Sequence, residues 1–136
     1  MVESQLTGAC LCGAVRYRCG EPGRPATFCH CTSCRRAAGA HAVAWFTVPG
    51  ASFAFTRGQP ATFRSSPPVE RAFCARCGTQ LTYRHQSWPG EVDVTVGSLD
   101  EPDRLAPAAH IWMQDAAAWD RPADGLPCHA RSRQDG

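Results

Sequence analysis

The stretch "VERAFCARCGTQLTYR", residues 69–84, decides how this chain is read. Apolar and polar residues alternate on both sides of its centre, which is the two-residue period of strands. At the centre "CARCG" spaces Cys74 and Cys77 so that two thiolates converge, and Gly78 allows a positive φ just after the second. A tetrahedral metal needs two more ligands, and "CLC" offers them at Cys10 and Cys12. Two close pairs far apart in sequence are the pattern of a structural zinc that ties distant strands together. Residues 13–73 lie between the pairs, far more than the roughly 15–20 of a simple zinc ribbon, so the clamp encloses half the domain. Four unrelated buried cysteines are the plainer reading, but a CxxCG knuckle is among the more specific metal signals. Four thiolates on zinc supply about 10–16 kcal/mol, as much as the whole stability of a typical domain.

Outward from this stretch the same alternation recurs. "GAVRYRC" (13–19), "HAVAWFTV" (41–48), "SFAFT" (52–56), "ATFRS" (61–65) and "EVDVTVGSL" (91–99) all read as short strands. The turns between them carry Pro and Gly, as in "VPG", "RGQP", "SSPP" and "WPG". The expected class is mainly β and antiparallel, with one or two short helical turns. "TSCRRAAGA" predicts one, capped by Thr32 or Ser33 and stopped by Gly39, and "QDAAAWD" (114–120) predicts another. Asp93 and Thr95 alternate with Val92, Val94 and Val96 and are expected on a solvated strand face. Asp100 reads as a turn residue, while His110, Trp112 and Trp119 read as packing or pocket-wall residues.

The 136 residues are one domain by size, 1–136, with a core at about 7–127 and a tail, 128–136, expected to be flexible. A core this thin benefits from a metal staple. The net charge is +2, and the 14 basic residues are all arginine and scattered. A nucleic-acid partner is not expected without a basic stripe. The N-terminus lacks a secretory pattern and no run approaches a membrane span, so no membrane partner is expected and the expected compartment is the cytoplasm. There, nine cysteines point to metal ligation rather than to disulfides.

"FCHCTSCRRAAGAH", residues 28–41, holds a second set, Cys29, Cys31 and Cys34, from a strand end running into a short helix. Arg35 and Arg36 beside them favour thiolates. Three thiolates on Zn²⁺ leave a net charge of about −1, a poor activator of water but a good docking point for a fourth thiolate. His30 sits between two ligands and is expected to point away from the metal they share. His41, Cys19, His110, Cys128 and His129 are fourth ligands only through tertiary proximity. The reading taken is a catalytic zinc with three protein ligands and an exchangeable position.

Together, "TGACLCGAVRY", "FCHCTSCRRAAGA", "RAFCARCGTQLTY", "VTVGSLDEP" and "HIWMQDAAAWDRPADGLP" resemble, in order from Thr7 to about Pro127, the glutathione-dependent formaldehyde-activating enzyme family, whose domain is shared with centromere protein V. The resemblance implies a β-tent fold of small antiparallel sheets. It also implies two zinc ions, a structural one on Cys10, Cys12, Cys74 and Cys77 and a catalytic one on Cys29, Cys31 and Cys34. The implied activity is a zinc-dependent carbon-sulfur lyase acting on S-hydroxymethylglutathione or related adducts of a small thiol and a small aldehyde. On this reading the open position binds the thiol sulfur, His30 is the nearest proton shuttle, and Arg35 and Arg36 attract the carboxylates of glutathione. The alternative is a non-enzymatic zinc adaptor or chaperone-like module on the same scaffold.

Overall fold

The computed structural model describes residues 5–132. Among these, ten strands form two sheets. The smaller contains β1 (Leu6–Ala9), β2 (Arg16–Cys19) and β5 (Ala54–Arg57) in the order β1-β2-β5. The larger contains β3 (Thr27–Cys29), β4 (Val43–Pro49), β6 (Ala61–Ser66), β7 (Val69–Phe73), β8 (Gln80–His85), β9 (Glu91–Thr95) and β10 (His110–Ile111). Its order is β10-β3-β4-β9-β8-β7-β6. The class is mainly β, and every stretch with a strand signal carries a strand. The pairs are antiparallel except β10 on β3, which is parallel.

Alternation along the strands builds the core. Tyr17 and Cys19 from β2, Phe46 and Val48 from β4, Leu81 from β8, and Val92 and Val94 from β9 meet in one buried cluster. Each large apolar side chain removed from water there contributes about 1.5–3 kcal/mol. The buried Tyr17 hydroxyl is matched by Ser98 Oγ at 2.7 Å. Cys10 and Cys74 belong to the same cluster, so the first cysteine set is anchored in the core. Cys19 is fully buried there and faces neither metal set.

The one α-helix among the described residues, α1 (Thr32–Ala38), follows β3 directly. Its cap is neither Thr32 nor Ser33: the Cys31 sulfur accepts the Cys34 N–H at 3.3 Å. Gly39 ends it at φ 63°, as its position predicts. The expected helix at 114–120 is only a 3-10 turn, Met113–Asp115. Seven residues are too few to nucleate a helix that lacks a packed face, and Ala116 is already extended.

The tail expected to be flexible from Cys128 carries backbone hydrogen bonds as far as Arg131. His129 N–H bonds His110 O, and the N–H groups of Trp112, Met113 and Gln114 bond the carbonyls of Arg131, His129 and Ala130. Docked backbone of this kind loses its fraying freedom. Residues 133–136 lie outside the described residues.

Candidate metal centres

In the first centre the ligand sulfurs of Cys10, Cys12, Cys74 and Cys77 all lie within 4.8 Å of one another. Cys10 and Cys12 sulfurs are 3.7 Å apart, and those of Cys12 and Cys74 3.8 Å. A tetrahedron with zinc-sulfur bonds of about 2.3 Å has edges of about 3.8 Å, so the donor set fits zinc. Local backbone bonds shape both knuckles. Gly78 N–H reaches Cys74 O at 2.8 Å with Gly78 at φ 83°, and Gly13 N–H reaches Cys10 O at 3.1 Å. The Thr79 hydroxyl joins the pairs, 3.0 Å from Leu11 N and 3.3 Å from Cys77 Sγ. That hydroxyl, followed by backbone N–H groups, holds the Cys77 thiol down at a pKa of about 5.

In the second centre the sulfurs of Cys29, Cys31 and Cys34 also lie within 4.8 Å of one another. β3 brings Cys29, held between Val43 of β4 and Ile111 of β10, and α1 brings Cys34. No other His, Cys, Asp or Glu among the described residues joins the group, so none of His30, His41, Cys19, His110, Cys128 or His129 is a fourth ligand. Thiol donation from Cys29 and Cys34 pulls the Cys31 pKa down to about 2, and the same contacts push Cys29 far up. Three sulfurs this close ionise together only around a cation.

His30 points away from the three sulfurs, as expected from its place between ligands. It is 1% exposed, with Nε2 2.9 Å from His110 Nδ1 and Nδ1 3.2 Å from Asp120 Oδ2. His110 Nε2 in turn lies 2.8 Å from Asp124 Oδ2, and Phe28 stacks on the His110 ring at 4.9 Å. The His30 backbone N–H bonds Ile111 O at 3.0 Å. A buried polar chain thus holds the Cys29–Cys31 turn from behind, and burial pushes the His30 pKa down.

The second centre opens on a cleft of about 690 Å³, within the roughly 300–1,000 Å³ of small-molecule sites. Its walls include Trp45, Tyr83, Trp88, Trp112, Arg24 and Arg71. Arg35 and Arg36 are not on it. Arg35 bonds Thr32 Oγ1 and Asp115 O, each at 3.4 Å, and Arg36 is exposed. His30 is also absent from the lining. Asp93, expected to be solvated, stands on the cleft wall and accepts the Thr47 hydroxyl at 2.6 Å. Thr95 is buried and donates to Gln80 O.

The sequence reading missed Arg71. It is 4% exposed on the inward face of β7, with Nη1 and Nη2 3.9 and 3.8 Å from Cys34 Sγ. The available signal was an arginine in phase with Val69 on the apolar side of an alternating strand.

Comparison with known proteins places the chain in a family. A family model described as "Glutathione-dependent formaldehyde-activating enzyme" matches residues 5–115. A protein of Halomonas elongata, named "Putative glutathione-dependent formaldehyde-activating enzyme", is 29% identical over 127 residues, covering 84% of this chain and 78% of that one. A solved structure of a Rhodobacter sphaeroides protein superimposes with a TM-score of 0.60 at 22% identity, over 90% of this chain and 98% of that one. At that identity the likeness speaks to the fold alone.

Proposed function

The chain belongs to the glutathione-dependent formaldehyde-activating enzyme family, and from that premise we propose that it is a cytoplasmic carbon-sulfur lyase whose substrate is the adduct of a small thiol, such as glutathione, with formaldehyde or a similar small aldehyde. The observation that carries this reading is the second centre: three convergent sulfurs beside a 690 Å³ cleft, with no fourth His, Cys, Asp or Glu among the described residues. Zinc is the metal that a thiolate set of this kind favours, two per chain. Held there by Cys29, Cys31 and Cys34, it would supply a soft Lewis acid able to keep an incoming sulfur as thiolate at neutral pH.

The remaining work falls to the chain. Cys29, Cys31 and Cys34 fix where the substrate sulfur sits, and Trp45 and Tyr83 wall that position from bulk water. Arg24, on the cleft, is better placed than Arg35 or Arg36 for a substrate carboxylate. His30 acts as a positioning residue behind the ligands rather than as a shuttle to substrate. The thiol gives its proton to solvent, the thiolate adds to the aldehyde carbon, the carbonyl π pair moves to oxygen, and that oxygen takes a proton back from solvent. The reverse breaks the carbon-sulfur bond.

The test follows the exchange between formaldehyde plus glutathione and S-hydroxymethylglutathione by NMR. Wild type is expected to speed it at least about tenfold, within the range of positioning and acid-base effects, and Cys31→Ser to abolish the gain. Fully metal-loaded wild type with no acceleration contradicts the lyase reading and favours the adaptor.

A further inference from the structure

Arg71 carries a permanent charge into the interior at 4% exposure. A buried charge is costly unless an opposite charge meets it. Among the described residues no carboxylate comes within 4.0 Å of its guanidinium. Its Nε bonds Ser65 Oγ at 3.2 Å, its Cζ lies 5.0 Å from the centre of the Tyr83 ring, and both terminal nitrogens face one atom, Cys34 Sγ. The counter-charge to Arg71 is therefore the cysteine triad itself. Three thiolates and a divalent cation sum to about −1, and with the Arg71 guanidinium at Cys34 that group sums to about zero, the Asp93 carboxylate lying two strands away beyond Tyr83 and accepting the Thr47 hydroxyl. A fourth thiolate then raises the local charge only to about −1. Without the arginine the same ligand brings it to about −2, in a partly desolvated cleft where like charges repel strongly.

Resting on the proposed thiol-binding role of the second centre, we infer that Arg71 is its specificity-determining residue: it makes the open position select an anionic sulfur over neutral nitrogen or oxygen ligands. A guanidinium suits this because two of its donors address one sulfur from a fixed plane. A merely structural strut between β7 and α1 predicts no such selectivity. Ser65 and Tyr83 hold the guanidinium in place.

The test uses cobalt-loaded protein and two probes, 2-mercaptoethanol, charged only at sulfur when ionised, and imidazole, a neutral ligand. Visible difference spectra report occupancy without reference to turnover. In Arg71→Gln, thiol affinity is expected to fall at least about tenfold while imidazole affinity stays within about twofold. Arg71→Lys keeps the charge and loses the fork, and is expected to retain the thiol-over-imidazole preference within about threefold. Should Arg71→Gln fail to fold, Arg71→Lys carries the test, and collapse of its preference overturns the inference. A folded Arg71→Gln that loses both ligands equally, or neither, also overturns it. Wild type whose spectrum ignores the thiol overturns the open-position reading itself, and this inference with it.

Discussion

At Gly78 the backbone is held at φ 83°, and no atom lies within 4 Å of where a Cβ would stand. Gly78→Ala therefore isolates backbone strain from crowding, and is expected to lower stability by about 1–2 kcal/mol, read as a lower melting temperature with both metals still bound. Asp100 accepts the Thr7 hydroxyl and the Arg16 guanidinium, each at 2.7 Å, tying β1 and β2 to the turn after β9. Thr7 first, and Arg16 after it, hold the Asp100 carboxyl below the usual carboxylate range. A lowered folded-state pKa favours the native state at neutral pH, and that contribution fades as pH falls through the lowered value. Both partners are about two-fifths exposed, so Asp100→Asn is expected to cost about 0.5–1 kcal/mol at pH 7, seen as a lower urea midpoint. An unchanged midpoint contradicts it. The need for glycine at 78 was legible because the knuckle requires a left-handed residue there. The ties of Asp100 were not, because they link positions far apart in the chain. Arg71 stayed hidden for a related reason: an arginine in a strand is ordinarily solvated, and only the fold reveals that its neighbour is the Cys34 sulfur.

At the level of elements, the junction of β3 with α1 builds the second centre. Its geometry depends on segments that come much later. β10 pairs with β3, and Asp124 closes the hydrogen-bonded chain that runs through His110 to His30, with Asp120 Oδ2 3.2 Å from His30 Nδ1. His110→Phe keeps a ring to stack on Phe28 but removes both hydrogen bonds. It is expected to weaken metal binding at the second centre by about tenfold and leave the first unchanged. A chelator titration should then release one metal per chain early, and release of both together, or unchanged affinities, contradicts the clamp. Seven strands were visible as alternation. β3 and β10 were not, since two or three residues give too few periods, β1 was not because its four residues include Gly8 and run straight into the Cys10 ligand turn, and a parallel pairing between residues 28 and 110 leaves no local trace.

For the whole molecule, the proposed reading gives the two centres separate duties. The first would pin the loops at Cys10–Cys12 and Cys74–Cys77 into the main core, and metal binding there would rival the stability of the domain. Cys77→Ser is accordingly expected not to fold, whereas Cys31→Ser is expected to fold with one metal in place of two, as checked by metal analysis and cooperative melting. The cysteine motifs specified both sets before any fold was known, because ligand spacing is a local property. The cleft was not legible, since Arg24, Trp45, Tyr83 and Trp112 meet only when the larger sheet is assembled. The central claim, that the second centre keeps a position open for a substrate sulfur, is met most directly by X-ray absorption at the zinc edge with and without glutathione. The account predicts an average of about 3.5 sulfurs per zinc rising to about 4 with the thiol. A value that stays at about 3.5 under saturating thiol, or that already equals about 4 without it, contradicts the claim.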